Sequence, residues 1–309
     1  MGKLGDKIDA VFADMDKPQH PGAALLVIDH GERLYSKGYG LADLETQRPI
    51  TADSAFYLAS ISKQFTAMAI IMLAEQGNLS SEDRLAAYFP RFPSWGAEIT
   101  LRHLLHHTSG LPAYFRLLTP SESIGITNEG VLERVMDATG PDFPVGTQYA
   151  YTDTAYTLLA TIVAIVSGGS FAEFLKANVF DPLGMQHTVV YDASRPARHK
   201  LVQGYLREND QFERWHYPLL TVGDGGLFAT LDDLLLWDQA LNTERLVPKA
   251  ALERAFTSGT TNDGKPIDYG FGWYTNVFPG WRHVAHGAAS APTTIISSAF
   301  SIFSARSSS

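Results

Sequence analysis

A long apolar run follows Ser60 and Lys63 and predicts the central element of the fold. From Ala67 to Ala74 the residues are apolar on every side of a helix, so the pattern predicts a buried helix rather than an amphipathic one. Gly77 stands where a C-terminal cap would end it. If this helix begins at Ser60, then Ser60 and Lys63 lie on one face of its first turn.

Periodicity and turn residues predict strands, then helices, then strands along the rest of the chain. The predicted strands are 22–29, 33–38, 269–277 and 281–285, and the predicted helices are 8–15, 60–76, 81–90, 101–107, 128–139, 154–166, 170–178 and 230–241. Capping boxes at Ser170 with Glu173 and at Thr230 with Asp233 mark two helix starts.

This order predicts an α+β fold, in which an antiparallel β-sheet flanked by helices is interrupted by an inserted all-helical region. We expect a discontinuous sheet domain formed by residues 1–85 and 216–309. The helical domain is expected at residues 86–215.

Composition narrows the classes of function. The 309 residues carry a net charge of -9 without a block of Lys or Arg, which argues against nucleic-acid and anionic-membrane partners. The absence of cysteine excludes disulfides, thiolate nucleophiles and Cys-based zinc sites. Residues 1–7 lack the apolar core of a signal peptide, and no apolar run is long enough to span a membrane. We therefore expect a soluble, cytoplasmic protein.

Two patterns suggest a metal or phosphate site without meeting its requirements. His103, His106 and His107 share one predicted helix, but no carboxylate lies in the same turn, and zinc needs three or four converging ligands. We expect solvent-facing or hydrogen-bonded imidazoles. The glycines at 223–226 lack both the preceding strand and the Lys-Ser/Thr of a phosphate-binding loop. No metal and no cofactor is predicted.

Ser60 and Lys63 place a hydroxyl and an amine at the start of a buried helix. The positive helix N-terminus and reduced solvation both favour the neutral form of Lys63. A neutral amine beside a hydroxyl is a base beside a nucleophile, as covalent catalysis requires. The Ser-x-x-Lys spacing alone does not decide this, because it recurs by chance and Ser is a common N-cap.

Further motifs follow in a fixed order. They are Leu104-Leu105-His106-His107-Thr108-Ser109-Gly110-Leu111, Tyr149-Ala150-Tyr151-Thr152-Asp153, Asp181-Pro182-Leu183-Gly184-Met185, Gly223-Asp224-Gly225-Gly226-Leu227-Phe228-Ala229-Thr230, Tyr269-Gly270-Phe271-Gly272-Trp273 and His286-Gly287. With them the chain resembles the serine β-lactamase and penicillin-binding-protein superfamily. It is most similar to the class C-like branch, which includes family VIII carboxylesterases and D-amino-acid-specific peptidases. The resemblance is specific for the superfamily but not for the substrate.

The resemblance implies catalytic roles for three residues. Ser60 matches the acylated nucleophile, and Lys63 matches the lysine that shares its proton network. Tyr151 matches the tyrosine that exchanges protons with the serine and the leaving group. A tyrosine is a poor base unless nearby cations lower its pKa. Without the motifs, Tyr151 would be interpreted as one more packed aromatic.

The resemblance also implies a substrate-binding edge. His286 and Gly287 match the third motif of the family, on the strand beside the site, although Ala288 stands where glycine is expected. A β-carbon at that position would crowd the cleft. The implied oxyanion hole consists of the backbone N–H of Ser60 and a second one near Ala289.

Asp153 departs from the pattern, because the family usually has Asn there. An amide donates a hydrogen bond to a substrate carbonyl, and a carboxylate does not. Asp153 is also able to pair with Lys63 and hold it charged, which would move the role of base to Tyr151. We interpret this departure as favouring esters over β-lactams.

The end of the chain departs further. The family adds two strands and a long helix after the third motif, whereas residues 289–309 are rich in Ser and Ala. We expect these elements to be truncated or altered, as a frameshift would produce. Residues 293–303 are β-prone and are able to supply one strand.

Two functions remain open from the sequence. The first is a serine hydrolase that cleaves small-molecule carboxylic esters, with β-lactams or D-amino-acid amides as alternative substrates. The second is a catalytically impaired member that serves as a ligand-binding or scaffold protein. The sequence leaves the oligomeric state open.

Overall fold

The fold is known from a computed structural model that describes residues 2–119, 121–122, 124–191, 201–209, 211–215, 220–275, 283–288 and 304–305. The helices in these ranges are α1 Gly2–Phe12, α2 Ser62–Glu75, α3 Leu85–Tyr88, α4 Leu101–Leu105, α5 Asn128–Met136, α6 Asp153–Ser167, α7 Phe171–Leu175, α8 Asp181–Leu183, α9 Leu231–Leu241 and α10 Lys249–Ala255. The strands are β1 Ala23–Asp29, β2 Glu32–Tyr39, β3 Leu41–Asp43, β4 Arg48–Pro49, β5 Phe56–Tyr57, β6 Val189–Val190, β7 Gly204–Glu208, β8 Gln211–Trp215, β9 Leu227–Ala229, β10 Tyr274–Thr275, β11 His283–Ala285 and β12 Ser304–Ala305.

The strands pair in small antiparallel ladders, which confirms the α+β class. The strand orders are β1-β2, β3-β4, β5-β9-β6, β7-β8 and β10-β11-β12. Within the described residues, the β1–β2 hairpin and the β10–β12 ladder are separate rather than one continuous sheet. The Ser-rich end supplies β12, whereas the β-prone residues 293–303 lie outside the described ranges. The division into sheet and helical domains stays a prediction.

Helix α2 lies at the centre of the core, as its apolar pattern predicts. Its residues from Ser62 to Leu73 are buried, and the ring of Phe65 stacks on Trp237 of α9 at 4.1 Å. The helix ends at Glu75, and Gly77 follows it with a positive φ of 74°, which suits a residue without a β-carbon. This central position fixes where the first turn of α2 presents its side chains.

Several helix boundaries differ from the predictions, and one predicted capping box is incomplete. Helix α1 begins at Gly2 rather than near residue 8, and α4 ends at Leu105 rather than at His107. At the start of α9, the Thr230 hydroxyl accepts a hydrogen bond from the backbone N–H of Asp233 at 3.2 Å, but the predicted reciprocal bond is missing. The Asp233 carboxylate instead accepts from His187 N at 2.8 Å and Thr188 Oγ1 at 2.7 Å, so it ties α9 to a loop.

In the part of the chain that the structure describes, no single helix is both long enough and apolar enough to cross a membrane. Helix α6 and the segment Phe171–Leu183 pass that test only as a pair, and the pair is bent by 77°.

Gly272 allows the chain to pass close behind α2. Its φ is +80°, and a β-carbon built there would lie 2.8 Å from the main-chain oxygen of Lys63 and 3.1 Å from Cα of Gln64. Backbone atoms cannot move aside as a flexible side chain does. A side chain at this position would therefore displace the first turn of α2.

We expect Gly272→Ala to lower the free energy of unfolding by about 3 kcal/mol, combining a left-handed backbone with overpacking. Gly264→Ala is the matched control, because Gly264 has a φ of +83° and no atom within 4 Å of the added β-carbon. The control variant should lose only about 1 kcal/mol. Urea unfolding measures the free energy of unfolding of both variants. Equal losses would show that the close approach of residue 272 to α2 does not affect stability.

Candidate active site

Ser60 lies in a tight turn that leads into α2. The turn is a 3-10 helix over Ala59–Ile61, so the α-helix itself begins two residues after Ser60. Ala59 has a φ of +44°, a conformation that is unfavourable for a residue with a β-carbon and that is often found beside functional groups. Ser60 is partly exposed, while its neighbours on the turn are buried.

Lys63 is fully buried and uses all three of its possible donor hydrogens. Its Nζ donates to Ser60 Oγ at 3.2 Å and to Asp153 Oδ1 at 2.6 Å. It also donates to the main-chain oxygen of Asp224 at 2.8 Å. Three acceptors around one nitrogen match an ammonium group, which has three donors and no lone pair to share.

The expectation that Lys63 is neutral is wrong in direction. Burial is the largest single influence and lowers its pKa, but the charges of Asp153, Tyr151 and Asp224 together outweigh burial, and the net effect raises the pKa above its usual value. The alternative that the sequence left open, in which Asp153 pairs with Lys63 and holds it charged, is the arrangement found, although the two residues are 90 positions apart in the chain. Lys63 is therefore positively charged in the resting site.

Asp153 is held in place as the first residue of α6. The positive end of a helix stabilises a carboxylate at this position. Its side chain is 29% exposed, whereas that of Lys63 is fully buried. Solvent therefore reaches the carboxylate of the ion pair but not the ammonium group. The pair joins α6 to α2 across the site.

Tyr151 packs against the same ammonium group. Lys63 Nζ lies 4.9 Å from the centre of the Tyr151 ring, within the range of a cation–π contact. Burial raises the pKa of Tyr151 to about 12, while Lys63 and Ser60 both lower it. The hydroxyl is buried, and it lies near both groups without meeting the geometry of a hydrogen bond.

Burial raises the pKa values of the neighbouring Tyr149 and Tyr156 further than that of Tyr151. At Tyr151, Lys63 and Ser60 oppose the effect of burial. Tyr151 is thus more acidic than these two neighbours.

Asp224 is a second buried carboxylate beside Lys63. Its Oδ2 accepts a hydrogen bond from the Tyr114 hydroxyl at 3.2 Å, and its Oδ1 is buried without a hydrogen-bond partner. Burial, followed by repulsion from Asp153, raises its pKa to about 6. In the sequence, Asp224 stands out only as part of a glycine-rich stretch.

His286 of the third motif lies near Tyr151, but its hydrogen bonds are to other residues. His286 is buried, and its ring centre lies 6.1 Å from that of Tyr151. Its Nδ1 lies 2.6 Å from the Gly287 oxygen, which can only accept, so Nε2 accepts from the Tyr269 hydroxyl at 3.0 Å. Burial lowers the pKa of His286 to about 3, so the ring is neutral. Gly287 is exposed, and Ala289 lies outside the described residues.

His103, His106 and His107 do not form a metal site, and only His103 lies within α4, which ends at Leu105. His106 and His107 are buried and hydrogen-bonded rather than solvent-facing, and His103 completes a capping box with Thr100. Among the described residues, no group of three or more His, Asp or Glu side chains is arranged to hold a metal ion.

Comparison with known proteins identifies the family. A protein-family model described as Beta-lactamase matches residues 8–298. The chain belongs to the β-lactamase family. Members of this β-lactamase and penicillin-binding-protein group are serine hydrolases.

Individual relatives agree with this assignment. The chain is 35% identical to penicillin-binding protein 4* of Bacillus subtilis (strain 168), over 86% of this chain and 62% of that protein. It is 31% identical to a D-aminopeptidase of Gluconobacter oxydans (strain 621H), over 87% of this chain and 51% of that protein. The chain thus spans between half and two thirds of the length of these relatives.

The fold matches a solved structure of the same group. The octameric penicillin-binding protein homologue from Pyrococcus abyssi superposes with a TM-score of 0.77 at 27% identity. The match covers 93% of this chain and 68% of that one.

The raised pKa of Asp224 implies that the free energy of unfolding depends on pH. Because this pKa is about 6 in the folded protein and ordinarily 3.8, the folded protein binds the proton more tightly than the unfolded chain. This stabilisation is complete below the lower value and is lost as the pH rises through the higher one.

We expect the free energy of unfolding of the wild type, relative to Asp224→Asn, to fall by about 3 kcal/mol between about pH 4 and about pH 7. Denaturant unfolding across this range measures the difference. A constant offset between the two proteins would contradict the assigned pKa, because loss of the Tyr114 hydrogen bond alone does not depend on pH.

Proposed function

We propose that the chain is a serine hydrolase that cleaves small-molecule carboxylic esters through an acyl-enzyme on Ser60. One observation carries the proposal. The buried ammonium of Lys63 contacts the Ser60 hydroxyl and the Asp153 carboxylate at the same time, with the ring of Tyr151 against it. A cation in this place favours the deprotonated forms of both neighbouring hydroxyls.

In this proposal Tyr151 exchanges the protons. Its phenolate accepts the proton of Ser60 while Oγ attacks the ester carbonyl carbon. The tetrahedral intermediate then collapses, the bond to the alcohol oxygen breaks, and Tyr151 returns the proton to the leaving alkoxide. Water attacks the acyl-enzyme in the same way and releases the acid and free Ser60.

Lys63 contributes charge rather than base strength. Because Asp153 keeps it protonated, Lys63 stabilises the phenolate of Tyr151 and the negative charge that develops on Ser60. We assign the oxyanion hole to the backbone N–H groups of Ser60 and Ala289. His286 and Gly287 form the adjoining edge, where the neutral ring of His286 offers no positive charge to a substrate carboxylate.

The preference for esters follows from Asp153. The carboxylate is occupied by Lys63 and cannot donate to a substrate carbonyl as an amide would. An ester is the less demanding substrate, because its alcohol leaves more readily than an amine. β-Lactams and D-amino-acid amides are secondary candidates, and the activity named for the Gluconobacter relative is not assigned to this chain.

Acylation of Ser60 is the direct test of the proposal. A p-nitrophenyl acetate or butyrate assay should show a burst of p-nitrophenol, and a phosphonate ester should add its mass to the peptide that contains Ser60. We expect Ser60→Ala to lose the burst, to lose the label and to lower kcat by about 10³-fold or more.

Ser62→Ala is the matched control for this experiment. Ser62 is the first residue of α2, directly after the turn of Ser60, but its hydroxyl is buried and accepts from Leu227 N at 3.3 Å. This variant should keep the burst. A folded wild-type protein that takes up neither the phosphonate nor the ester would instead support the alternative, a catalytically impaired ligand-binding or scaffold protein.

The assignment of Asp153 makes a second prediction. Asp153→Asn restores an amide donor and removes the charge partner of Lys63, so we expect the ratio of ester to β-lactam hydrolysis to fall about tenfold, equivalent to about 1.4 kcal/mol. Nitrocefin and p-nitrophenyl butyrate report the two rates. Asp142→Asn, which removes a surface partner of Arg116, is the control, and an unchanged ratio in Asp153→Asn would remove the argument for esters.

A further inference from the structure

His107 lies directly behind Tyr151 and contacts its ring. The two ring centres are 4.3 Å apart, and the planes are inclined by 36°. Tyr156 and Tyr269 pack on the same imidazole at 5.0 and 4.8 Å, and His107 is fully buried. The imidazole therefore has fixed surroundings and gives Tyr151 a rigid support.

His107 also holds the backbone on both sides of Tyr151. Its main-chain oxygen accepts from Ala150 N at 2.9 Å, and its ring Nδ1 accepts from Thr152 N at 3.2 Å. One residue thus makes a hydrogen bond to each neighbour of Tyr151 and packs on the ring between them. No other described residue makes all three contacts.

These contacts matter because the Tyr151 hydroxyl has no well-formed hydrogen bond of its own. The position of that oxygen relative to Ser60 and Lys63 is consequently set by the backbone and by ring packing. A side chain without such support would sample other rotamers, and an error of about 1 Å in a reacting group is enough to cost about 100-fold in rate.

His107 acts in one tautomer and one charge state. Nδ1 accepts the Thr152 N–H, so the proton of the neutral ring is on Nε2, which is buried without a partner. Burial, together with the charge of Lys63, lowers the pKa of His107 well below its usual value. The ring cannot accept a proton from Ser60 through Nε2, which leaves it a structural task.

The backbone of His107 shows that this placement has a cost. Its φ is +57°, in the left-handed region that residues with a β-carbon avoid. Such strain persists only where the surroundings enforce it, and it is concentrated at functional sites. This conformation turns both the carbonyl and the ring of His107 toward the Tyr151 segment.

We propose that His107 is a positioning residue that fixes the Tyr151 hydroxyl against Ser60 and Lys63 by binding the backbone on either side of it and supporting its ring. The inference rests on the proposed function, because it gives His107 a task in the proton exchange by Tyr151. From the sequence alone, His107 stands out only as a member of a family motif and as one of three histidines too poorly arranged for a metal.

Two substitutions separate the contacts. His107→Asn keeps a side-chain acceptor in the place of Nδ1 and tolerates a positive φ, but it removes the ring. His107→Gly tolerates the same φ and removes both. We expect kcat for p-nitrophenyl butyrate to fall about tenfold in the Asn variant and about 100-fold in the Gly variant, with little change in KM.

The decisive measurement places His107→Gly in a Tyr151→Phe background. If His107 acts through Tyr151, the second substitution should lower kcat no further, whereas independent effects would multiply. His103→Asn, a replacement on the preceding helix α4, is the control, and thermal unfolding confirms that each variant is folded.

The outcomes distinguish this inference from the proposed function. A wild-type enzyme that acylates Ser60, with His107→Gly equally fast or with multiplicative effects in the double variant, would overturn the role of His107 alone. A wild-type protein that does not acylate Ser60 would overturn the proposed function first, and with it this inference.

Discussion

The buried ion pair between Lys63 and Asp153 is the interaction on which the rest of the site depends. An ammonium group with no exposure to water is tolerated only if it is paired and fully hydrogen-bonded. Lys63 meets this condition through contacts at 2.6, 2.8 and 3.2 Å. Since the partners come from the turn before α2, the start of α6 and the segment before β9, the pair requires the three regions to meet at one point.

The charge of Lys63 at this point determines which neighbouring groups are able to exchange protons. A lysine held positive cannot serve as the base, so the neighbouring hydroxyls become the groups whose protons are displaced. Lys63 lowers the pKa of Tyr151 and burial raises it, and the effect of burial is larger in the resting state. The main-chain oxygen of Asp224 accepts a hydrogen bond from the same ammonium group. In our proposal the site therefore rests protonated and becomes reactive as Tyr151 loses its proton, with His107 keeping that hydroxyl in place.

Local patterns predicted the helix that presents Ser60 and Lys63, but they did not decide the charge of Lys63. The apolar run behind Ser60 and Lys63 and the stop at Gly77 are short-range signals, and the structure agrees with both. The family resemblance singled out Tyr151, which no periodicity would have found. Local features favoured a neutral Lys63, and only the family motif pointed to Asp153, the distant carboxylate that keeps it charged. The expectation of a hydrogen-bonded imidazole holds for His107, but its partner, Thr152, is distant in sequence. The capping box predicted at Asp233 is incomplete because the Asp233 carboxylate accepts from His187 and Thr188 instead.

The pH dependence of acylation tests the central claim most directly, because it reports which group must lose a proton. We predict that kcat/KM, after subtraction of the background rate of the Ser60→Ala variant, rises about tenfold per pH unit from about pH 6 to about pH 9. This slope is expected because the whole range lies well below the Tyr151 pKa of about 12. This slope should disappear in Tyr151→Phe. A profile that levels off near neutrality in the wild type, or that keeps its slope in Tyr151→Phe, would show that another group accepts the proton of Ser60.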